Sequence, residues 1–205
     1  MNSFKKLAVL GILFINLNLF SQDRNWTIKT TKDEKTTVKY DIEKENGGTH
    51  MFYIATQTVN TSISELADYF SKSSNHKNFL ENTPKSEEVE KISDNEWITY
   101  YFFDAPWPMP NSDVVVKFKK TKKDNKIFFT ANAINNDYKE SDVERLSTYT
   151  FIYEFEKIDE QNTKITINAN FISVGSVPNF LVKTWFPKGP AKIISNLSSK
   201  KVSLD

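Results

Sequence analysis

The residue types best suited to chemistry are scarce in this chain. Cysteine is absent, which excludes disulfides, thiolate metal sites, cysteine nucleophiles and an acylated lipoprotein cysteine. The two histidines, His50 and His76, leave little for a zinc site or for imidazole catalysis. The sequence contains no glycine-rich phosphate loop, no His-Glu-x-x-His, no Gly-x-Ser-x-Gly and no calcium-loop spacing. From these absences we expect neither a metal site nor a cofactor.

Catalysis by the two histidines has weak support. General acid–base catalysis needs a titratable side chain held next to the reacting proton. His76 falls on a short predicted helix and is the only imidazole with a suitable position, but an exposed surface histidine is the favoured interpretation. His50 follows Gly47-Gly48, so we expect it at a turn or a strand edge. We therefore assign no catalytic residue from the sequence.

The composition indicates one globular domain. The 205 residues are 39% hydrophobic and 26% charged, which is enough apolar material for a sizeable core. With 27 basic and 26 acidic residues, the net charge of +1 provides no basic field of the kind that holds nucleic acid. Aromatic residues make up 14% of the chain, while glycine (5) and proline (7) are scarce. This mixture favours strands around an aromatic interior.

The first segment has the pattern of a signal peptide. Lys5 and Lys6 precede an apolar run from Leu7 to Phe20, which is short for a bilayer core of about 30 Å. Ser21 is a small residue of the kind that precedes signal-peptidase cleavage. We expect residues 1–21 to be a signal peptide and residues 22–205 to form one secreted or periplasmic domain. An uncleaved membrane anchor and a buried first helix are the alternatives.

The elements of the first half are a hairpin and two short helices. Apolar and polar residues alternate over residues 38–43 and again over 51–55, on either side of Asn46-Gly47-Gly48, which predicts two strands joined by a glycine-assisted turn. The segment Ser62-Ile63-Ser64-Glu65 has the spacing of a capping box, so a helix should begin there. A second short helix is predicted around residues 75–80.

From Lys85 onward, apolar residues recur with a period of two. Short turns such as 123–125 and 159–162 separate the apolar runs, which favours antiparallel hairpins. Four aromatic residues between 149 and 155 fall on one face, as in a sheet with one buried side. The predicted strands are 86–92, 96–105, 113–120, 126–133, 147–157 and 164–173.

After Pro178 the spacing becomes helical again. Apolar residues between Phe180 and Leu197 form one stripe, and Pro187-Lys188-Gly189-Pro190 should kink or split that helix. The predicted fold class is therefore α+β, with a hairpin, two short helices, an antiparallel meander and a long C-terminal helix. Periodicity leaves open whether the space between sheet and helix is filled or hollow.

Two segments resemble START-type lipid-transfer domains. Residues 106–115, Pro-Trp-Pro-Met-Pro-Asn-Ser-Asp-Val-Val, are similar to the segment that leads into a strand carrying an acidic residue in that family. Residues 174–182, followed by Lys188-Gly189-Pro190, resemble the family's entry into its last helix. With the order of elements, the resemblance covers residues 26 to 200. The chain departs from the family pattern at Ser112, where arginine is usual, and over 76–79, where a tryptophan is common.

The resemblance implies a helix-grip fold within the wider polyketide-cyclase and Bet v 1-like superfamily. In that fold a curved antiparallel sheet clasps the C-terminal helix and encloses an apolar tunnel for one hydrophobic molecule. Two short helices follow the first hairpin. A START-like domain of a bacterial secreted protein is thus the expected architecture.

The same resemblance suggests ligand-binding residues. Trp107, held between two prolines, could contact a ligand at one end of the tunnel or could seal the core. Asp113 and Arg145 are candidates for a polar pair that orients a lipid headgroup, with a surface salt bridge as the alternative. The other candidates flank or form the inner face of the last helix and could equally be ordinary core residues. They are Phe171, Val177, Phe180, Leu181, Thr184 and Trp185.

The leading hypothesis is that the domain binds one hydrophobic, lipid-like molecule between sheet and C-terminal helix, for carriage or sensing. We expect a monomer with transient membrane contact and no nucleic-acid partner. A cyclase or hydratase acting in the same tunnel is the enzymatic alternative, and it requires a titratable residue with a perturbed pKa that points into the cavity. A closed core that binds through its outer surface is the third hypothesis and predicts no sizeable void.

Overall fold

A computed structural model of the chain describes residues 24–45, 47–139 and 143–200. The predicted signal peptide at residues 1–21 lies outside the described residues. Within the described ranges, ten strands form a single sheet that packs against four α-helices. The strands are β1 (Thr27–Thr30), β2 (Thr37–Glu45), β3 (Gly48–Val59), β4 (Lys85–Lys91), β5 (Glu96–Phe103), β6 (Ser112–Lys123), β7 (Lys126–Ala133), β8 (Glu144–Arg145), β9 (Tyr149–Lys157) and β10 (Thr163–Val174).

The sheet is antiparallel throughout its main path, in the order β1-β2-β3-β10-β9-β7-β6-β5-β4. The two-residue strand β8 lies off this path and pairs in parallel with β6. The hairpin of β2 and β3 and the later meander confirm the pairing predicted from sequence. Pairing of β10 with β3 joins the two halves of the chain into one sheet. The α+β prediction is therefore confirmed.

The first helix begins at the predicted capping box. In α1 (Ile63–Phe70) the Ser62 hydroxyl accepts from the Glu65 amide, and the Glu65 carboxylate accepts from the Ser62 amide, each at 3.3 Å. These two bonds satisfy amide groups that would otherwise lack partners at the helix start. A 3-10 turn (Ser73–Asn75) then leads into the short helix α2 (His76–Phe79).

Strand β9 carries much of the aromatic core. Tyr149, Phe151, Tyr153 and Phe155 are buried, as their alternation predicted, while the residues between them are half-buried. Phe70 of α1 packs against this face, with its ring centroid 4.7 Å from that of Tyr153. The first helix is thus held to the sheet by aromatic contacts beyond simple area burial.

The C-terminal helical segment is split in two, as the proline-rich segment predicted. Helix α3 (Asn179–Trp185) and helix α4 (Lys188–Ser199) flank Phe186, whose ring stacks on Tyr40 with centroids 4.1 Å apart. The Trp185 indole lies directly against Gly189, where a Cβ atom would come within 2.0 Å of Trp185 Nε1. Only a glycine allows this close approach.

Candidate functional site

A cavity of about 450 Å³ lies between the buried face of the sheet and the C-terminal helices. Strands β3, β9 and β10 contribute one wall, and α3 with Ile193 of α4 contributes the opposite wall. The loops at 80–83 and 105–110 contribute further lining residues. The volume falls within the range of roughly 300–1,000 Å³ seen for small-molecule sites. The space between sheet and helices is therefore hollow.

The lining of the cavity is mainly apolar. Of the described residues that line it, Glu81 is the only one with a charged side chain. The aliphatic and aromatic lining residues come from strands, loops and helices alike. They include Met51, Leu80, Phe103, Met109, Leu146, Phe151, Phe171, Val174, Val177, Leu181, Val182 and Ile193.

Five of the nine residues proposed from sequence line the cavity: Phe171, Val177, Leu181, Thr184 and Trp185. Leu181, Thr184 and Trp185 are spaced by three and four residues, so α3 directs them to one face. Val177 is fixed by its backbone amide, which donates to the Thr49 hydroxyl at 2.8 Å. The helical periodicity therefore identified the wall of the cavity that α3 provides.

Trp107 and Phe180 lie outside the cavity, which corrects two of the proposed ligand contacts. Trp107 is 91% exposed, so it neither closes the tunnel nor seals the core. Met109, two residues later in the same loop, reaches the cavity instead. Phe180 is 64% exposed because it precedes Leu181 by one residue and points about 100° away around the helix. Both residues form exposed apolar surface in segments that border the cavity.

Asp113 and Arg145 do pair, but away from the cavity. Arg145 Nε and Nη2 donate to the two carboxylate oxygens of Asp113 at 2.8 and 2.9 Å. Nη1 and Nη2 also donate to backbone carbonyls of Asn136, Tyr138 and Lys139. Neither residue lines the cavity, so the proposal that this pair orients a ligand headgroup is not supported by their position. The pair instead fixes the loop that follows β7.

A polar contact joins the loop after α2 to the C-terminal helices at the edge of the cavity. Trp185 Nε1 donates to Glu81 Oε2 at 3.1 Å, and Lys192 Nζ lies 2.8 Å from Glu81 Oε1. The neighbouring lining residues Asn82 and Thr184 are exposed, so the cavity reaches the surface here. Glu81 therefore ties α3 and α4 to the mouth of the cavity.

Two tyrosines bring hydroxyl groups to the otherwise apolar sheet wall. Tyr53 and Tyr149 both line the cavity and are at least nine-tenths buried. Burial raises the pKa of both phenols above the ordinary value, so they remain protonated at neutral pH. They can donate and accept hydrogen bonds, but they are poor bases.

His76 is fully buried, which corrects the expectation of a surface histidine. Its ring packs among Phe70, Phe79 and Phe118, where the family pattern commonly has a tryptophan. Nε2 donates to the Phe70 carbonyl oxygen at 2.6 Å, and Nδ1 accepts from the Tyr101 hydroxyl. Desolvation lowers the pKa of His76 to about 4, so the ring is neutral at physiological pH. His76 is not among the lining residues of the cavity.

Outside the cavity, one group of side chains has the donor types of a metal site. Donor atoms of Glu43, Glu45 and His50 all lie within 4.8 Å of one another on the β2–β3 hairpin. His50 Nδ1 is 2.7 Å from Glu45 Oε1, and Arg24 binds Glu43 at 2.7 Å. The cluster is thus accounted for by a His50–Glu45 hydrogen bond and an Arg24–Glu43 ion pair at the surface. Among the described residues, no helix has the length and apolar character needed to cross a membrane.

No protein-family model and no curated protein matches this sequence. Solved structures do match its fold. A STAR-related lipid transfer protein from Xanthomonas axonopodis aligns with a TM-score of 0.70 and 17% identity, covering 85% of this chain and 97% of that chain. Human StAR-related lipid transfer protein 5 aligns with a TM-score of 0.66 and 15% identity over 89% of each chain. This chain has the START helix-grip fold.

One of the similar structures is an enzyme. The Zhui aromatase/cyclase from a Streptomyces species aligns with a TM-score of 0.54 and 7% identity, covering 74% of this chain and 93% of that chain. At these identities the similarity establishes the fold. The resemblance stated from the two sequence segments is confirmed at that level.

Several lining residues were missed by the sequence reasoning. Tyr53 lies in a recognised strand, and period-two alternation with Met51 placed it on one face, but nothing distinguished a cavity-lining tyrosine from a core one. Glu81 falls in the loop after α2, where no periodicity applies. Tyr149 was predicted to lie on an aromatic face, but its position in the cavity lining was not predicted.

Proposed function

We propose that this START-fold protein binds one hydrophobic, lipid-like molecule in the cavity between the sheet and helices α3 and α4, for carriage or sensing. The observation that carries the proposal is an apolar-lined cavity of about 450 Å³ that reaches the surface. Burial contributes ~0.8 kcal/mol per methylene, so an alkyl chain of about a dozen carbons would be held firmly without a strong polar contact. Lipid-transfer proteins among the similar structures are consistent with this use of the fold.

The cavity argues against the closed-core hypothesis. A water molecule occupies about 30 Å³ in the liquid, so the void is far larger than a few waters. A protein that used only its outer surface would be expected to fill this space with side chains, because empty volume forfeits packing contacts.

The enzymatic alternative, a cyclase or hydratase, has the support of the aromatase/cyclase similarity alone. Of the described residues that line the cavity, the titratable ones are two phenols with raised pKa and the ion-paired carboxylate of Glu81. His76, the imidazole considered from sequence, is enclosed by aromatic rings and does not line the cavity. The geometry therefore favours binding over acid–base catalysis.

Direct capture tests the binding proposal. Purified protein should release a co-purifying lipid in native mass spectrometry or organic extraction, and it should take up the fluorescent hydrocarbon diphenylhexatriene. Leu181→Trp should reduce that uptake because Leu181 lines the cavity. Lys183→Trp adds the same side chain to an exposed position of α3 and should bind normally. Absence of both lipid and uptake would contradict the proposal.

We also propose transient membrane contact through Trp107 and Phe180. These exposed apolar residues belong to the loop and the helix that border the cavity, and amphipathic tryptophan is favoured at membrane interfaces. Trp107→Ser combined with Phe180→Ser should reduce sedimentation with phospholipid vesicles. Ile158→Ser, in the exposed turn after β9, is the matched control. Equal sedimentation of all three proteins would exclude this contact surface.

A secreted or periplasmic location is proposed from the sequence of residues 1–21. The test is expression of the whole chain in a Gram-negative host, followed by N-terminal sequencing of the protein in the periplasmic fraction. A product that begins near residue 22 supports cleavage. A full-length product that remains with the membrane would favour the uncleaved anchor.

A further inference from the structure

The sheet wall of the cavity carries a hydroxyl group that lacks a protein partner. Tyr53 is only 1% exposed and lines the cavity, and its hydroxyl makes no hydrogen bond to another described residue. The Tyr53 oxygen is not among the fully enclosed side-chain atoms of the described residues that lack a hydrogen bond. Its accessible surface therefore faces the cavity that Tyr53 lines. A buried hydroxyl in this position is costly unless something hydrogen-bonds it.

Other buried tyrosines lie near Tyr53. Tyr149 lines the same cavity, and its ring centroid is 6.4 Å from that of Tyr101. Tyr101 donates to His76, because the Phe70 carbonyl requires the histidine proton on Nε2. We call Tyr53, Tyr101, Tyr149 and Tyr153 the tyrosine cluster. Its members are uncharged at physiological pH, so the cluster offers hydrogen bonds without charge.

The charge of the lining restricts what the cluster can bind. No lysine or arginine is among the described residues that line the cavity, and the one charged group there is the carboxylate of Glu81. That carboxylate already accepts from Trp185 and pairs with Lys192. A carboxylate or phosphate inserted against the tyrosine cluster would be buried without a cation, which is strongly unfavourable.

We propose that Tyr53, together with Tyr149, hydrogen-bonds an uncharged oxygen at the buried end of the hydrophobic ligand. The ligand class is then a neutral molecule with a hydroxyl or ketone group on an apolar body, inserted with that group against the tyrosine cluster. This inference rests on the proposed function of the cavity. It further requires that fatty acids and phospholipids do not enter head first.

Competition with matched probes tests the inference. Diphenylhexatriene reports occupancy of the cavity, and 1-dodecanol, 2-dodecanone and dodecanoate are the competitors at pH 7. The alcohol and the ketone should displace the reporter at concentrations about tenfold lower than dodecanoate. Tyr53→Phe removes only the hydroxyl, so it should weaken the binding of 1-dodecanol by about three- to tenfold. This is the range expected for the loss of one neutral hydrogen bond. The affinity of each variant for diphenylhexatriene is measured as well, so that every competitor is compared against that variant's own reporter binding.

Two further variants complete the experiment. Tyr149→Phe should also weaken the alcohol, while Tyr40→Phe removes the hydroxyl of a buried tyrosine outside the cavity and should leave all probes unaffected. Near-ultraviolet circular dichroism establishes that each variant is folded. Normal binding of the hydrocarbon with equal affinity for alcohol and carboxylate, or an unchanged alcohol affinity in Tyr53→Phe, would overturn this inference alone. Failure of wild-type protein to bind diphenylhexatriene would overturn the proposed function as well.

Discussion

At the scale of single residues, the fully buried charge at Asp113 has a structural role. Its carboxylate is 0% exposed and is matched by a guanidinium that also binds three backbone carbonyls. Arg145 thereby connects β6 to the loop that follows β7. The short strand β8 is formed beside this pair, since Asp113 and Arg145 are themselves partners in the parallel register.

Replacing Asp113 with asparagine should destabilise the protein without affecting the cavity. The variant keeps the shape of the side chain but removes the carboxylate charge that the Arg145 guanidinium, 23% exposed, binds. Removing one member of such a pair should cost about 3 kcal/mol of unfolding free energy. Chemical denaturation measures this loss, and diphenylhexatriene binding should persist. Glu96→Gln, which alters a more exposed ion pair, should have little effect on stability.

A stable Asp113→Asn variant would show that the loop contacts of Arg145 suffice without the carboxylate. A variant that was stable but had lost ligand binding would instead indicate that Asp113 and Arg145 take part in ligand binding. The two results are separable because denaturation and probe uptake are measured on the same sample.

At the scale of elements, the junction of α3 and α4 determines the shape of the cavity. Trp185 lies against Gly189 and holds Glu81, so one contact fixes the helical wall and the other fixes the mouth. Glycine is therefore required by the neighbouring indole rather than by backbone conformation. Ordinary helix propensity predicts the opposite preference, since alanine is favoured over glycine by about 1 kcal/mol.

Gly189→Ala should consequently destabilise the protein, although alanine is the better helix former. The new Cβ would lie 2.0 Å from Trp185 Nε1 and 2.1 Å from Cε2, so the indole must move. The melting temperature should fall, tryptophan fluorescence should shift, and uptake of diphenylhexatriene should weaken because Trp185 lines the cavity. Ser195→Ala, at an exposed position of α4, also gains helix propensity but creates no clash, and it should not destabilise. A higher melting temperature in Gly189→Ala would contradict this packing argument.

Sequence periodicity predicted the elements well and their contacts less completely. The later strands were located to within a few residues, because turn residues bound the apolar runs and one buried face imposes strict alternation over β9. The split after α3 followed from Pro187 and Pro190. Strand β8 was missed because two residues form no pattern. Its existence depends on the pairing of residues 32 positions apart, which local sequence does not reveal.

The residues of the cavity were predictable only in part. Helical spacing identified Leu181, Thr184 and Trp185, yet a tunnel wall and a solid core use the same residue types, so the void itself had no sequence signal. Trp107 was misjudged because an aromatic side chain between prolines resembles a core plug, whereas the loop turns it outward. His76 was misjudged because a polar short helix suggested exposure.

At the scale of the whole molecule, the two ends of the core differ in their contents. Around α1 and α2 the core is filled by aromatic rings and the buried imidazole of His76. Beneath α3 and α4 it is hollow. The filled end should therefore control folding stability, while the hollow end controls ligand binding. A ligand that binds only the folded state would add stability through the hollow end by mass action.

Mild acid should destabilise the molecule through His76. Its pKa falls from the ordinary value of 6.5 to about 4 in the folded protein, because burial penalises the charged ring. Between pH 6.5 and pH 4 the unfolded chain therefore binds more protons than the folded protein, so the unfolding free energy decreases as the pH falls. One pKa unit is worth about 1.4 kcal/mol, which gives a loss of roughly 3 kcal/mol by pH 4. Denaturation curves at several pH values measure it.

His76→Gln should flatten this pH dependence while keeping a donor for the Phe70 carbonyl and an acceptor for the Tyr101 hydroxyl. The unfolding free energy of this variant at pH 7 will be lower, because the aromatic contacts of the ring are lost. The prediction is therefore tested by the change of unfolding free energy with pH, not by its value at one pH. Glu65→Gln serves as the control. Lys200 and Ser62 lower the pKa of Glu65 to about 2, so its contribution is lost between pH 4.5 and pH 2, below the window of His76. If the unfolding free energy of wild type and of His76→Gln changed equally between pH 6.5 and pH 4, groups other than His76 would be responsible for the acid sensitivity.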